Sequence, residues 1–254
     1  MNISRVSACR AANLNLRDKG TQPKSSAICS DRKTYMIKVP DDLAKSKERL
    51  NEVVASILAS HVRIEVPDCA VIEVPDGMLT SFKGPVPAGD YFGSLYALDR
   101  VPLARDVALC ELEAALYPLL AFDLMILNPD RKPGDVLRMT GDDRLANGIM
   151  AIDHGNAFGG SAWTMAELDR HDATSETIAP GLSTWIFRDL HDTDAARVAA
   201  AVVTRAASGF EKALDKAAQF VDIDADDRAA IERFLKTRIQ SLEGLAVAQI
   251  ARNG

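Results

Sequence analysis

NPDRKPGDVL, residues 128–137, places two carboxylates, Asp130 and Asp135, five residues apart, with Arg131 and a Pro-Gly turn between them. The loop follows the apolar run AFDLMIL at 121–127. A second stretch, MAIDHGNAFG at 150–159, reads as a short strand that ends on Asp153 and breaks at once into His154-Gly155. Two acidic loops of this kind suit a site for a hard cation and phosphate. Magnesium takes oxygen ligands and is commonly held by one or two carboxylates, with phosphates and water completing the shell. Taken singly, either loop is as well explained by carboxylates that cap local turns. Together and in this order they favour the chemical reading.

Working outward, VLRMT (136–140) and ANGIMAID (146–153) pair naturally as a hairpin around Gly141-Asp142-Asp143, which brings the two acidic loops side by side. Upstream, LARDVALCELEAALYPLLA (103–121) is apolar around most of its circumference, as a buried helix is. Earlier still, TYMIKVP (34–40) reads as a strand. DDLAKSKERLNEVVASILASH (41–61) reads as a helix, with an acidic cap at Asp41 or Asp42 and with Leu50, Val53, Val54, Ile57 and Leu58 at helical spacing. RIEV, AVIEV and MLTSF follow as strands between Pro-containing turns.

KGPVPAGDYFGS, 83–94, is rich in Gly and Pro and reads as a connector. From 164 onward the pattern is helical. The longest helices are expected at about 194–220 and 225–251, the second capped by Asp224. The expected class is therefore α+β and bilobal in the manner of a protein kinase: a β-rich N-terminal lobe over 1–83 and a mainly helical C-terminal lobe over 84–254. Pattern alone leaves a generic α+β domain open.

Composition narrows the classes. The chain has 254 residues, 47% hydrophobic and 26% charged, enough for one large domain or two lobes. A net charge of −6 weighs against broad nucleic-acid binding. Cys9, Cys29, Cys69 and Cys110 are widely spaced with no CxxC pair, as expected of reduced thiols in a cytoplasmic protein. No apolar run approaches the roughly 18–20 residues of a membrane span. Arg5 and Arg10 have no apolar stretch behind them, so the N-terminus does not read as a secretory signal.

Other motifs fail when checked. GPVPAGD (84–90) lacks the Lys-Ser/Thr of a phosphate loop. DIDADD (222–227) lacks the turn glycine and the distal glutamate of a calcium loop, and reads as a helix cap. Neither HExxH nor GxSxG occurs. Phosphoryl transfer, by contrast, needs a cation on the α/β-phosphates and a carboxylate to orient the attacking hydroxyl. Lys38, on its strand, and Glu52, early in the next helix, are spaced to form an ion pair that would hold such a cation; an exposed Glu52 is the alternative.

FDLMILNPDRKPGDVL followed by MAIDHGNAF closely resembles the catalytic and metal-binding segments of HipA-like kinases, and more distantly those of phosphatidylinositol kinases. KGTQPKSSA (19–27) is similar to the nucleotide-loop segment of that family, TYMIKVP to its ATP-lysine strand, and LNEVVASILASHVRIEVP to its Asn-Glu helix. The resemblance covers about 19–160 in the right order. It implies Asp130 as catalytic aspartate with Arg131 bracing its loop, and Asp153 and Asp135 as Mg2+ ligands. It also implies Lys38, supported by Glu52, on the ATP phosphates, with Gly20, Gln22 and Lys24 in the loop that covers them.

By resemblance the activity is transfer of the γ-phosphoryl group of ATP to a hydroxyl, with a protein serine or threonine as acceptor and an antitoxin or other regulatory partner possible. Asp135 departs from the asparagine usual at the second metal position. That departure keeps open a pseudokinase or nucleotide-binding interaction module. The phosphatidylinositol-kinase likeness keeps open a lipid or small-molecule kinase, although the chain lacks an evident basic membrane-facing cluster.

Overall fold

The computed structural model describes residues 1–12, 24–40, 46–81, 84–96, 100–103, 112–139, 148–170 and 191–253. Its strand-rich part is a closed barrel of β1 (Ile3–Ala11), β2 (Lys24–Cys29), β3 (Thr34–Lys38), β4 (Cys69–Val74) and β7 (Gly89–Leu95), in the order β1-β2-β3-β7-β4. The pairings are antiparallel except β1 with β4, which run parallel from Ile3 opposite Cys69 to Ser7 opposite Glu73 and close the barrel. Strands β5 (Thr80–Ser81) and β6 (Gly84–Pro85) form a separate two-stranded ribbon.

Strand alternation sorts side chains between two cores. Val6, Ala8, Ala27, Tyr35, Ile37, Ala70, Ile72 and Tyr91 fill the barrel. Cys69, Val71 and Phe92 face the other way, into the core that contains helix α1 (Glu48–His61). Period-2 geometry puts Lys38 on the face opposite Ile37, and therefore toward α1.

Helix α1 is buried nearly all round. Among its apolar side chains stand Glu48, Asn51, Glu52 and Ser56, spaced to share one face. Buried polar groups need partners, so this face must meet the site rather than lipid-like core.

Helix α2 (Glu113–Ile126) ends on Leu127, whose φ of 47° turns the chain sharply into the 128–135 loop. A single turn of 3-10 helix at Pro133–Asp135 follows. The short sheet β10-β9-β8 then joins Ile149–Ala151, Val136–Met139 and Arg100–Pro102. Ile149 lies opposite Arg138 and Ala151 opposite Val136, so the two acidic loops leave neighbouring strands at the same edge. The remainder is helical: α3 (Met165–Arg170), α4 (Asp192–Ala207), α5 (Phe210–Ala217) and α6 (Ala225–Asn253). Asp224 Oδ1 accepts from the Asp227 amide, which caps α6 as expected.

Several expectations need correcting. KGPVPAGDYFGS is not a connector: it supplies β6 and most of β7, which pairs with both β3 and β4. The strand-rich part therefore runs on to Leu95, past the expected division between 83 and 84. The glycines misled because Gly93 serves the barrel interior, where an added Cβ would lie 2.3 Å from Ile72 Cδ1.

RIEV is not a strand; its Ile64 and Val66 pack into the α1 core. Of MLTSF, the described residues contribute Thr80–Ser81 alone, and Phe82 lies outside the described residues. The helix read over 103–121 is described as α2 at 113–126, residues 104–111 lying outside the described residues. The helix expected at 194–220 is two, broken at Ser208-Gly209. Strand β1 was not foreseen at all. No helix among the described residues is long and apolar enough to cross a membrane.

Candidate active site

Asp123 stands in the last turn of α2 with its side chain fully buried. A carboxylate there requires a partner, and the partner is Arg131, itself buried. The pair is bidentate: Nε donates to Oδ2 at 2.8 Å and Nη2 to Oδ1 at 3.0 Å. Burial opposes the charge on Arg131, but Asp123 more than reverses this and holds the guanidinium pKa above its ordinary range.

The same guanidinium reaches across to the second acidic loop. Nη1 donates to the Ile152 carbonyl, and Nη2 lies 2.9 Å from His154 Nδ1. Burial first, then the nearby Arg131 and Lys38 charges, keep His154 well below the usual histidine pKa. The imidazole is therefore neutral, and Nδ1 is the acceptor that an arginine demands. Arg131 thus bolts the 128–135 loop to the 152–154 loop.

From above, α1 meets the same loop. Lys38 Nζ pairs with Glu52 Oε1, and with Asp153 Oδ1 at 2.6 Å. Burial disfavours the ammonium; Glu52 and Asp153 outweigh it, and the Lys38 pKa lies above the ordinary lysine value. Glu52 is almost wholly buried and also accepts from the His154 backbone. The alternative of an exposed Glu52 is thereby overturned.

Asn51, one residue earlier, donates to the carbonyls of Gly155, Ala157 and Gly160 at 2.7–2.9 Å and accepts from Trp163 Nε1 at 2.9 Å. Close packing completes the join: a Cβ on Gly155 would lie 2.6 Å from Glu48 Cγ. Asp153 adopts φ of 64°, a left-handed conformation that this network over-determines.

The three aspartates read from the sequence lie on these two loops, and the charges of all three act on Lys132. The Asp130 carboxylate is half-exposed, and its Oδ2 accepts from Lys132 Nζ at 2.9 Å and Asn156 Nδ2 at 3.2 Å. Asp135 Oδ2 accepts from the Lys132 amide, while its backbone carbonyl accepts from the Ile152 amide. Burial, and next the charge of Asp153, push the Asp135 carboxyl up to about 6.

Of the loop residues, Gly20 and Gln22 lie outside the described residues. Lys24 opens β2, its Cα in register with that of Lys38. Among the described residues no group of three or more His, Cys, Asp or Glu side chains is gathered to hold a metal. A cavity of about 280 Å3 adjoins Lys38, but it runs along Glu48, Arg49 and Asp90 and is lined by none of the three aspartates.

Three residues of this arrangement escaped the sequence reading, Asp123, Lys132 and Asn156, while Asn51 entered it only as part of the Asn-Glu helix and without a role. Asp123 had a usable signal, as a lone acid inside the apolar run AFDLMIL.

Comparison with protein families matches residues 17–217 to the HipA-like kinase family. The chain belongs to that family. Its phosphotransferase class follows. Among solved structures, this HipA-like kinase is similar to the proinflammatory kinase CtkA of Helicobacter pylori, at 12% identity and a TM-score of 0.67, over 99% of this chain and 98% of that one. At that identity the likeness shows the shared fold. The Golgi casein kinase is matched at 12% identity and a TM-score of 0.46, over 96% of this chain and 73% of that one. HipA of Shewanella oneidensis, in a structure with HipB and operator DNA, is matched at 10% identity and a TM-score of 0.45, over 95% and 68%. Comparison with curated proteins gives no match.

Proposed function

We propose that this HipA-like kinase transfers the γ-phosphoryl group of ATP, with magnesium, to the hydroxyl of a protein serine or threonine. The observation that carries the reading is the pairing of Lys38 with Asp153, on one of two loops that carry Asp130, Asp135 and Asp153 and are joined by a single buried arginine. Asp135 and Asp153 sense each other electrostatically, and Asp135 is partly desolvated. Two such carboxylates are a fitting donor set for magnesium, which needs few protein ligands when phosphates supply the rest. Bound magnesium would neutralise charge on the triphosphate.

The chain's own groups do the remainder. Lys38 stays protonated and, held by Glu52, offers a fixed positive charge to phosphate oxygens. Asp130 accepts a hydrogen bond from the acceptor hydroxyl and aims its oxygen at the γ-phosphorus. A bond forms between that oxygen and phosphorus, the bond from phosphorus to the β-bridging oxygen breaks, ADP leaves, and the hydroxyl proton passes to Asp130. Arg131 keeps both loops in register throughout. The protein acceptor rests on the family resemblance, as does a regulatory partner of antitoxin type.

A thermal melt with ATP tests the binding half of this reading. Ligand at about a hundred times its dissociation constant adds roughly 2.7 kcal/mol, equivalent to about 5–10 °C for a chain of this size. The shift is expected to need magnesium and to be lost in Asp153→Asn. It is also expected to shrink as pH falls through about 6, because Asp135 then takes up a proton that competes with the cation. An equal shift without magnesium, or in Asp153→Asn, would remove the proposed metal site.

A further inference from the structure

Asp130 is oriented by two side chains from two different loops. Lys132 Nζ, two residues on, and Asn156 Nδ2, from the 152–160 loop, both donate to the same oxygen, Oδ2, at 2.9 and 3.2 Å. The other oxygen, Oδ1, has no hydrogen-bond partner among the described residues. The amide nitrogen of Asn156 must face Oδ2, since its carbonyl oxygen would set two acceptors against each other. A carboxylate turns broadly about its last torsion when nothing holds it. Two donors on one oxygen stop that rotation and present the free oxygen.

Asn156 is itself held from α1. The carbonyls on either side of it, those of Gly155 and Ala157, both accept from Asn51 Nδ2. Asn51 adjoins Glu52, which grips Lys38. A continuous run of contacts therefore joins the proposed phosphate-binding lysine to the proposed hydroxyl-orienting carboxylate, through Asn51 and Asn156.

We propose that Lys132 and Asn156 are positioning residues that clamp Oδ2 of Asp130 and leave Oδ1 as the one oxygen that meets the acceptor hydroxyl. Asn156 sets the angle of that oxygen according to the place of α1 and the metal-binding loop. The clamp rests on the reading of Asp130 given above. The Lys132 pKa is raised, first by its bond to Asp130, so the clamp stays charged at neutral pH. Both partners of the Lys132–Asp130 pair are about half exposed, at 55% and 47%, so the pair adds little to stability and its effect falls on catalysis.

The test is transfer of labelled γ-phosphate from ATP to dephosphorylated casein by the full chain, with kcat and the KM for ATP measured separately. Asn156→Ala and Lys132→Met are each expected to lower kcat about 10–100-fold, the scale of a misplaced reacting group, with KM for ATP within about twofold. The double variant is expected to lose less than the product of the two, because both act on one carboxylate. Lys132→Arg, which keeps a charged donor, is expected to retain most of the activity.

Asp130→Asn is run beside them. If it is inactive while Asn156→Ala, Lys132→Met and the double variant all stay within about twofold of the parent, the clamp is wrong and the site reading survives. A fall in kcat matched by an equal loss of ATP affinity would also overturn the clamp, since it places the effect on the nucleotide. Full activity in Asp130→Asn would remove the reading beneath the proposal, and the proposal with it.

Discussion

Asp130→Asn and Asp153→Asn are expected to fold and melt within a few degrees of the parent chain, yet to transfer phosphate at least about a hundredfold more slowly. Asp130 is half exposed and its ion pair with Lys132 is a surface one, so stability barely depends on it. Asparagine keeps its shape but cannot take the hydroxyl proton, and loss of a general base costs about 10²–10⁴ in rate. Asp153 occupies a left-handed backbone position, which asparagine tolerates as well as aspartate does. The substitution preserves the loop, and Lys38 keeps Glu52. What disappears is the negative charge that faces Lys38 and the proposed cation. Electrostatic contacts to a developing transition state are worth about 10²–10³ each. Parent-like rates in both variants, measured by labelled phosphate transfer, would exclude these loops as the catalytic centre.

Arg131→Met is expected to act chiefly through stability. It leaves Asp123, a fully buried carboxylate in α2, with the long 3.4 Å contact from Asn128 Nδ2 as its remaining side-chain hydrogen bond among the described residues. Breaking a buried pair from one side costs about 3–5 kcal/mol, which denaturant unfolding would resolve easily. Removing both charges, in Arg131→Met with Asp123→Leu, is expected to recover much of that loss. An apolar pair of similar volume often matches a buried ion pair in stability.

Activity is expected to stay low in the recovered double variant. Arg131 also holds the Ile152 carbonyl and His154, and no methionine can bridge the two loops. A single variant that loses less than about 1 kcal/mol would show that the Arg131–Asp123 pair is not the bolt described here.

The parts of the site that can be read from the chain are those whose chemistry is carried by residue type at short spacing. Asp130, Arg131 and Asp135 lie within six residues, and Asp153 follows one hairpin later, so their meeting needs only the local pairing of β9 with β10. Lys38 ends β3 and Glu52 lies in the next helix, 14 residues on. Asn51 and Asn156 could not be singled out in the same way. Each is an ordinary polar residue until tertiary packing sets it beside three carbonyls or a carboxylate.

The fold shows the same division. The helical pattern of α6 and its Asp224 cap were legible because both are local. Strand β1 was not, since only Val6 and Ala8 of its nine residues are buried, and its parallel closure onto β4 joins segments more than sixty residues apart. Strand β7 was hidden behind glycines and prolines that commonly mark loops.

The measurement that bears most directly on the function is incubation of the full chain with γ-labelled ATP, magnesium and dephosphorylated casein, followed by acid hydrolysis of the labelled protein. Magnesium-dependent label recovered as phosphoserine or phosphothreonine is the result expected of a kinase working through Asp130 and Asp153. Nucleotide binding without any label on protein, on casein or on the chain itself, would contradict it and leave a nucleotide-binding interaction module in its place.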